Sequence, residues 1–216
     1  MRHIFKIIIF FLAGQIQAQS QYNFDSLTTV ICETFQTTSS IPDTLRIQKT
    51  FEKHYSLFEG KTEIEIQDIY GVLYLRLQMN CSDFDRVSEI GYSNESDGIT
   101  IDKDLASKMK PFECSKLFSK KKYYYLEGPS KVDVIITDSI WKSLYPDGTY
   151  SLLTLKKSNS CEFIITFVES NNFIISNVYK KGHKFRYKII EEMPNYFNLI
   201  SEDISTKKMQ LFQLFK

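Results

Sequence analysis

The feature that most constrains the fold of this chain is a change in the spacing of its apolar residues near residue 120. Before that point, apolar residues recur every three or four positions, which is the spacing of one face of an α-helix. After it, apolar and polar residues alternate over short runs that are separated by turn residues, which is typical of strands with one buried face. This order predicts an α+β fold, with a helical region over residues 19–119 and an antiparallel β domain over residues 120–216.

The N-terminal half carries recognisable helix start and stop signals. Pro42 and Asp43 mark a start, because proline fits a first helical turn and an early acid complements the helix dipole. Gly60 marks an end. Thr62 and Glu65 form a capping box, in which each side chain can accept a hydrogen bond from the other residue's backbone N–H. The apolar stripes are Phe24, Leu27, Ile31 and Phe35; Ile47, Phe51, Tyr55 and Phe58; and Ile66, Ile69, Tyr70, Leu73 and Leu77.

The C-terminal half is predicted to form a meander of short antiparallel strands. Phe185, Tyr187 and Ile189 alternate with basic residues, so these three side chains should point into the core. Consecutive strands begin about a dozen residues apart with turns between them, which favours a meander sheet or a partly open barrel. The predicted strands cover residues 132–137, 150–155, 161–168, 173–179, 184–189, 196–201 and 209–215.

Residues 132–216 resemble the lipocalin-like barrels. Ser139-Ile140-Trp141, followed by a turn and meandering strands, is similar to the start of such a barrel, in which a tryptophan after a short N-terminal segment plugs one end. The chain has Ser139 where the family usually has glycine, and six or seven predicted strands where a full barrel has eight. The resemblance therefore implies a half-barrel or an open lipocalin-like sheet. The alternative is that Trp141 is a core or edge aromatic of an unrelated sheet. The helical half resembles uncharacterised secreted bacterial proteins.

Residues 1–18 have the composition of a secretory signal peptide. A basic start with Arg2 and Lys6 precedes an apolar run over residues 7–12, and Ala18 is a small residue at a suitable cleavage point. The run is shorter than the ~20 residues of a permanent membrane-spanning helix. We therefore expect an exported protein, periplasmic or extracellular, that is cut after Ala18 and has no membrane span after cleavage. The alternative is a frayed or membrane-anchoring N-terminal helix. Abundant Lys, Ile, Asn, Phe and Tyr are typical of an AT-rich bacterial genome.

The chain has four cysteines, and an even number in an exported protein favours disulfides. Four cysteines allow three connectivities, and the spacing alone does not choose among them. Because Cys32 and Cys81 bracket the predicted helices, we expect these two to pair and to close a loop of about 50 residues. No CxxC motif is present, so neither a zinc ribbon nor a thioredoxin-type site is expected. The disulfide candidates are Cys32, Cys81, Cys114 and Cys161.

The charge balance argues against a nucleic-acid partner. The chain has 27 basic and 26 acidic residues, whereas a dedicated nucleic-acid binder would show a basic excess. Residues 120–125, three lysines followed by three tyrosines, could stack on single-stranded nucleic acid. A solvated turn that leads into a strand is the simpler interpretation, so we expect no nucleic-acid partner. We also expect no cofactor.

No catalytic or metal site is predicted. His54 and His183 have neither a cysteine nor a carboxylate at metal-ligand spacing, and no GxSxG, HExxH or P-loop motif occurs. Residues 93–104 are rich in oxygen ligands, but an alignment on Gly98 puts Ser93 first and Asp104 last, and both are poor calcium ligands for those positions. A solvated loop is therefore expected there.

The predicted function is non-enzymatic binding. A curled sheet rich in aromatics can form an apolar concavity for a small apolar molecule, although the same residues could simply form the core. The ligand could also be a protein partner. The first alternative function is an interaction module that docks another envelope protein. A hydrolase with a non-standard site is the less favoured alternative. The ligand-pocket candidates are Trp141, Phe163, Phe167, Phe173, Phe185, Tyr187 and Phe197.

Overall fold

The computed structural model describes residues 22–91, 99–101, 103–119, 122–159 and 161–216. Helices come first and an eight-stranded antiparallel barrel follows, which confirms the α+β fold class. The expected signal peptide lies outside the described residues.

In the structure, the helical region covers residues 22–91 and contains four helices and one short 3-10 turn. Asn23 begins the first helix, because its side chain accepts a hydrogen bond from the backbone N–H of Ser26. The capping box of Thr62 and Glu65 is present as predicted and begins the third helix. The elements are α1 (Phe24–Thr37), α2 (Asp43–Lys53), the 3-10 turn (Tyr55–Leu57), α3 (Glu63–Asn80) and α4 (Ser82–Gly91).

The helical region has its own apolar core, which the first disulfide fastens. Ile31, Leu73 and Leu77 are fully buried in this core. Cys32 of α1 bonds to Cys81 at the end of α3, which confirms the predicted pair. A closed loop of this length restricts the unfolded chain and stabilises the fold by roughly 4 kcal/mol on the chain-entropy model.

Eight strands form a closed up-and-down barrel. Each strand pairs with the next, and the last strand returns to the first through the pairing of Tyr124 with Phe215. A short additional strand pairs with the last strand on the same edge as the first barrel strand, with Ile99 opposite Leu211. The strands are β1 (Ile99–Ile101), β2 (Lys122–Glu127), β3 (Ser130–Ile136), β4 (Ile140–Leu144), β5 (Tyr150–Lys157), β6 (Glu162–Ser170), β7 (Lys184–Glu192), β8 (Tyr196–Asp203) and β9 (Met209–Phe215).

The barrel is closed, and this differs from the half-barrel that the sequence implied. The expected strand over residues 173–179 is instead a helix, α7 (Phe173–Val178), which begins where the side chain of Asn172 accepts a hydrogen bond from the N–H of Ile175. The strand that was expected after the lysine-rich turn is β2. One barrel strand was absent from the prediction, β4, which has only five residues.

One end of the barrel is filled by the segment that precedes it. This segment contains two short helices, α5 (Pro111–Cys114) and α6 (Lys116–Ser119). Cys114 bonds to Cys161 near the start of β6, and Leu117 is fully buried among the barrel's inward side chains. The hydroxyl of Tyr123 donates a hydrogen bond to the carbonyl of Leu117, over 2.7 Å. The segment that the sequence grouped with the helices thus contributes to the barrel core.

The helical region contacts the barrel mainly through α7. Val178 of α7 is buried in the core of the helical region. Arg76 of α3 donates to the carbonyl of Asn177 over 2.8 Å and pairs with Asp25. Lys180, just after α7, forms a second ion pair with Asp25. The loop after β8 adds an ion pair between Lys208 and Asp85 of α4.

Candidate functional site

A groove with a volume of about 510 Å³ lies between α2 and α3. Its floor and walls are apolar side chains, and three polar side chains stand at its rim. The apolar residues are Ile47, Phe51, Tyr55, Phe58, Tyr70 and Tyr74, and the polar residues are Thr44, Gln48 and Glu52.

Helical spacing brings these side chains together. Ile47, Phe51 and Tyr55 follow one another at intervals of four residues, so they share one face of α2 and the turn after it. Tyr70 and Tyr74 have the same spacing on α3. The sequence predicts this apolar stripe as a core face. In the structure, 66 % of Tyr55 and 38 % of Tyr70 remain exposed.

The wall of the groove on the α3 side is supported by a row of aromatic rings. The centroids of Phe51 and Tyr70 are 4.6 Å apart, and those of Tyr70 and Tyr74 are 5.8 Å apart in a stacked arrangement. Tyr74 then meets Phe84 edge-to-face at 5.3 Å, and Phe84 meets Phe35 at 5.2 Å in the buried core. Ring pairs at these separations attract one another. The groove therefore has a wall that is fixed by the core.

Glu52 is the one charged residue among the nine described residues that line the groove. Its carboxylate accepts hydrogen bonds from Lys49 over 2.7 Å and from Gln48 over 2.8 Å. These contacts lower the pKa of Glu52, with that from Lys49 contributing most. The Glu52 carboxylate at the rim is therefore ionised at neutral pH and is paired with the Lys49 ammonium.

The barrel brings together most of the aromatic residues that the sequence singled out. Trp141, Phe163 and Tyr187 form a compact cluster, with centroids 5.2 to 6.1 Å apart. Phe167 and Phe197 are buried in the same core. These rings pack on one another and on the surrounding aliphatic side chains.

Two other candidates lie apart from that cluster. Phe185 points to the α7 end of the barrel, where it contacts Tyr179 and His183. Phe173 is on the surface of α7, 37 % exposed, and its ring contacts Phe24 of the helical region. Phe173 therefore does not line the barrel.

Hydroxyl groups bond to one another inside the barrel. Tyr145 lies 3.1 Å from Ser151, and Tyr125 is hydrogen-bonded with Ser143. Burial raises the pKa of Tyr125 well above its usual range, and it also raises the pKa of Tyr187. These side chains are therefore neutral hydrogen-bonding groups at physiological pH.

His54 and His183, the two histidines of the described residues, have structural partners. His183 lies 3.0 Å from Asp203, and both side chains are largely buried. Burial opposes the ionisation of Asp203, but hydrogen bonds from His183 and Ser205 outweigh it and hold the pKa of that carboxyl at about 2. His54 lies 2.9 Å from the hydroxyl of Thr34, and burial lowers its pKa. The sequence missed the His183–Asp203 pair because the two residues meet only when β7 and β8 align.

Within the described part of the chain, no set of three or more His, Cys, Asp or Glu side chains is placed to hold a metal ion. Most of the candidate calcium loop, residues 92–98 and 102, lies outside that part. Among the helices of the described ranges, none combines the length and the apolar character that crossing a membrane requires.

The sequence did not predict the aromatic groove, because an apolar stripe shows which face of a helix is apolar but not whether another element covers that face. One signal was present. Tyr55 and Tyr70 carry hydroxyl groups, which suit a water-exposed surface better than a dry core. No protein-family model, no curated protein and no solved structure matches this chain.

Proposed function

We propose that this protein is an exported, non-enzymatic binding protein that holds a small apolar molecule in the aromatic groove of its helical region. The observation that carries the proposal is the groove itself. Its volume of about 510 Å³ falls in the range of small-molecule sites, roughly 300–1,000 Å³. Mainly aromatic walls with a few polar groups at the rim are also typical of such sites.

Binding is favoured over catalysis by the kind of residues in the groove. None of the nine described lining residues is a serine, cysteine or histidine, so the lining lacks the common pairing of a serine or cysteine nucleophile with a histidine base. In this proposal the barrel aromatics form a packed core. The signal-like sequence of residues 1–18 supports export, and the two disulfides are consistent with an oxidising compartment.

Fluorescence titration with Nile red, a neutral apolar dye, tests the proposal. We expect the dye to bind the full chain, and Tyr55→Ala and Tyr70→Ala to weaken its affinity at least about fivefold, the effect of losing an important contact residue. Phe112→Ala is the matched control, because Phe112 is 67 % exposed and lies outside the groove. The affinity of the Phe112→Ala variant for Nile red should equal that of the unchanged chain.

Two outcomes would overturn the proposal. If Nile red binds and only Phe185→Ala weakens it, the ligand site is in the barrel. If Nile red does not bind, and Tyr55→Ala converts a self-associated form to monomer in analytical ultracentrifugation, the aromatic face is a protein-docking surface. Circular dichroism of each variant establishes that it is folded.

A further inference from the structure

We infer that, among small and largely apolar molecules, the aromatic groove prefers those that carry an organic cation, such as a quaternary ammonium group, over neutral molecules of the same shape. This inference rests on the proposed function of the groove and names the class of ligand that the groove selects.

The first argument is the aromatic character of the lining. Five of the nine lining residues are phenylalanine or tyrosine. The face of an aromatic ring carries partial negative charge, so several rings around one space attract a cation that has shed part of its water. An alkylated ammonium ion gives up water more readily than a primary amine, and its methyl groups also gain from apolar contact.

The second argument is the sign of the charge at the rim. Glu52 is the one charged side chain of the described lining, and it is acidic. A cation in the groove would therefore meet a carboxylate, whereas an anion would be repelled by both the carboxylate and the ring faces. A neutral molecule would gain from neither interaction.

The contact between Lys49 and Glu52 does not prevent this recognition. The two side chains lie on α2 three residues apart, and each is 47 % exposed. Exposed ion pairs of this kind contribute little stability, because water already solvates both charges. A ligand cation that also contacts the rings can therefore share or take over the Glu52 carboxylate.

The test uses two probes of nearly equal shape. They are benzyltrimethylammonium and its neutral tert-butyl analogue, in which carbon replaces the ammonium nitrogen. Each is titrated against the full chain with bound Nile red, and displacement of the dye gives its affinity. We expect the cation to bind at least about threefold more tightly than the neutral analogue, a ratio at the lower end of cation–π effects.

Two variants separate the charge from the apolar contact. Glu52→Gln should reduce the preference for the cation and leave the affinity of the neutral analogue unchanged. Glu33→Gln is the matched control, because Glu33 is an exposed carboxylate of α1 outside the groove, and it should leave both affinities unchanged. Added salt should weaken the cation alone, since exposed charges are screened.

The outcomes are distinguishable. If the two probes bind with equal affinity and Tyr55→Ala weakens both, the cation preference is overturned and the groove remains a ligand site. If Nile red does not bind, and isothermal titration calorimetry detects no binding of either probe, the groove is not a ligand site and the cation preference is overturned with it. If Glu52→Gln does not change the ratio of the two affinities, the carboxylate does not contribute to recognition, and the aromatic rings by themselves account for the preference.

Discussion

Gly71 of α3 lies directly against Ile174 of α7, so that a Cβ added to Gly71 would stand 3.0 Å from the Cδ1 of Ile174. This close approach is the point at which the barrel's helix rests on the helical region. Glycine inside an 18-residue helix costs about 1 kcal/mol relative to alanine. The close packing of Ile174 compensates for that loss.

Gly71→Ala should change the free energy of unfolding by less than about 1 kcal/mol, because the gain in helix propensity is offset by the contact with Ile174. In the Ile174→Val background, which lacks Cδ1, the same change should stabilise the protein by about 1 kcal/mol. Urea melts of the four chains measure both values. Equal stabilisation by Gly71→Ala in the two backgrounds would show that the side chains do not conflict.

The barrel should fold without the helical region if its preceding segment is kept. A fragment of residues 103–216 retains both the Cys114–Cys161 bond and Leu117, so we expect a β-type circular dichroism spectrum and a cooperative melt. A fragment of residues 122–216 loses both. It should be less stable by several kcal/mol, given the usual effect of removing a disulfide and a buried leucine. Equal stability of the two fragments would contradict a structural role for residues 103–119.

Phe163→Ala should destabilise the barrel by about 3–5 kcal/mol, because Phe163 is fully buried between Trp141 and Tyr187. Phe185→Ala should cost less, since Phe185 is only partly buried at the α7 end. Lys184→Ala, on the outer face, should change stability by no more than about 0.5 kcal/mol. Chemical denaturation of the three variants gives this order. A larger loss for Lys184→Ala than for Phe185→Ala would contradict the inward phase of β7.

The buried carboxyl of Asp203 should make stability depend on acid pH. Its pKa in the folded protein, about 2, is below its ordinary value of 3.8, so its contribution is present above about pH 4 and is lost as the pH falls towards 2. Asp203→Asn should therefore be less stable than the unchanged chain at neutral pH, and the difference should shrink on acidification. Urea melts between pH 2 and pH 7 measure it.

Asp68→Asn provides a comparison of opposite sign. Burial and the nearby Asp147 raise the pKa of Asp68, so its ionised form opposes folding. Asp68→Asn should therefore raise the free energy of unfolding above that of the unchanged chain most strongly at neutral pH. The difference should shrink as the pH falls and the native carboxyl binds a proton. Parallel pH profiles for the Asp203 and Asp68 variants would contradict both assignments.

Local features of the fold were predictable from the sequence. The capping box of Thr62 and Glu65 depends on four consecutive residues, and the inward phase of Phe185 and Tyr187 depends on simple alternation. Closure of the barrel was not predictable, because the pairing of Tyr124 with Phe215 joins residues that are far apart in the chain.

The candidate groove illustrates the same limit. The stripe that contains Phe51 and Tyr55 was evident, but its exposure depends on where α3 and α4 lie.

The helix α7 was mistaken for a strand for a related reason. Its apolar run resembles a strand, and packing on α3 together with the Asn172 cap decides in favour of a helix.

The two disulfides join neighbouring cysteines in chain order, the first to the second and the third to the fourth. The two loops that they close follow one another along the chain, neither nested nor crossed. If oxidation proceeds from the N-terminus as the polypeptide emerges into an oxidising compartment, each thiol meets its native partner as the next one to arrive. On that order of oxidation, the chain would need an oxidant to mature but no isomerase to correct its pairings.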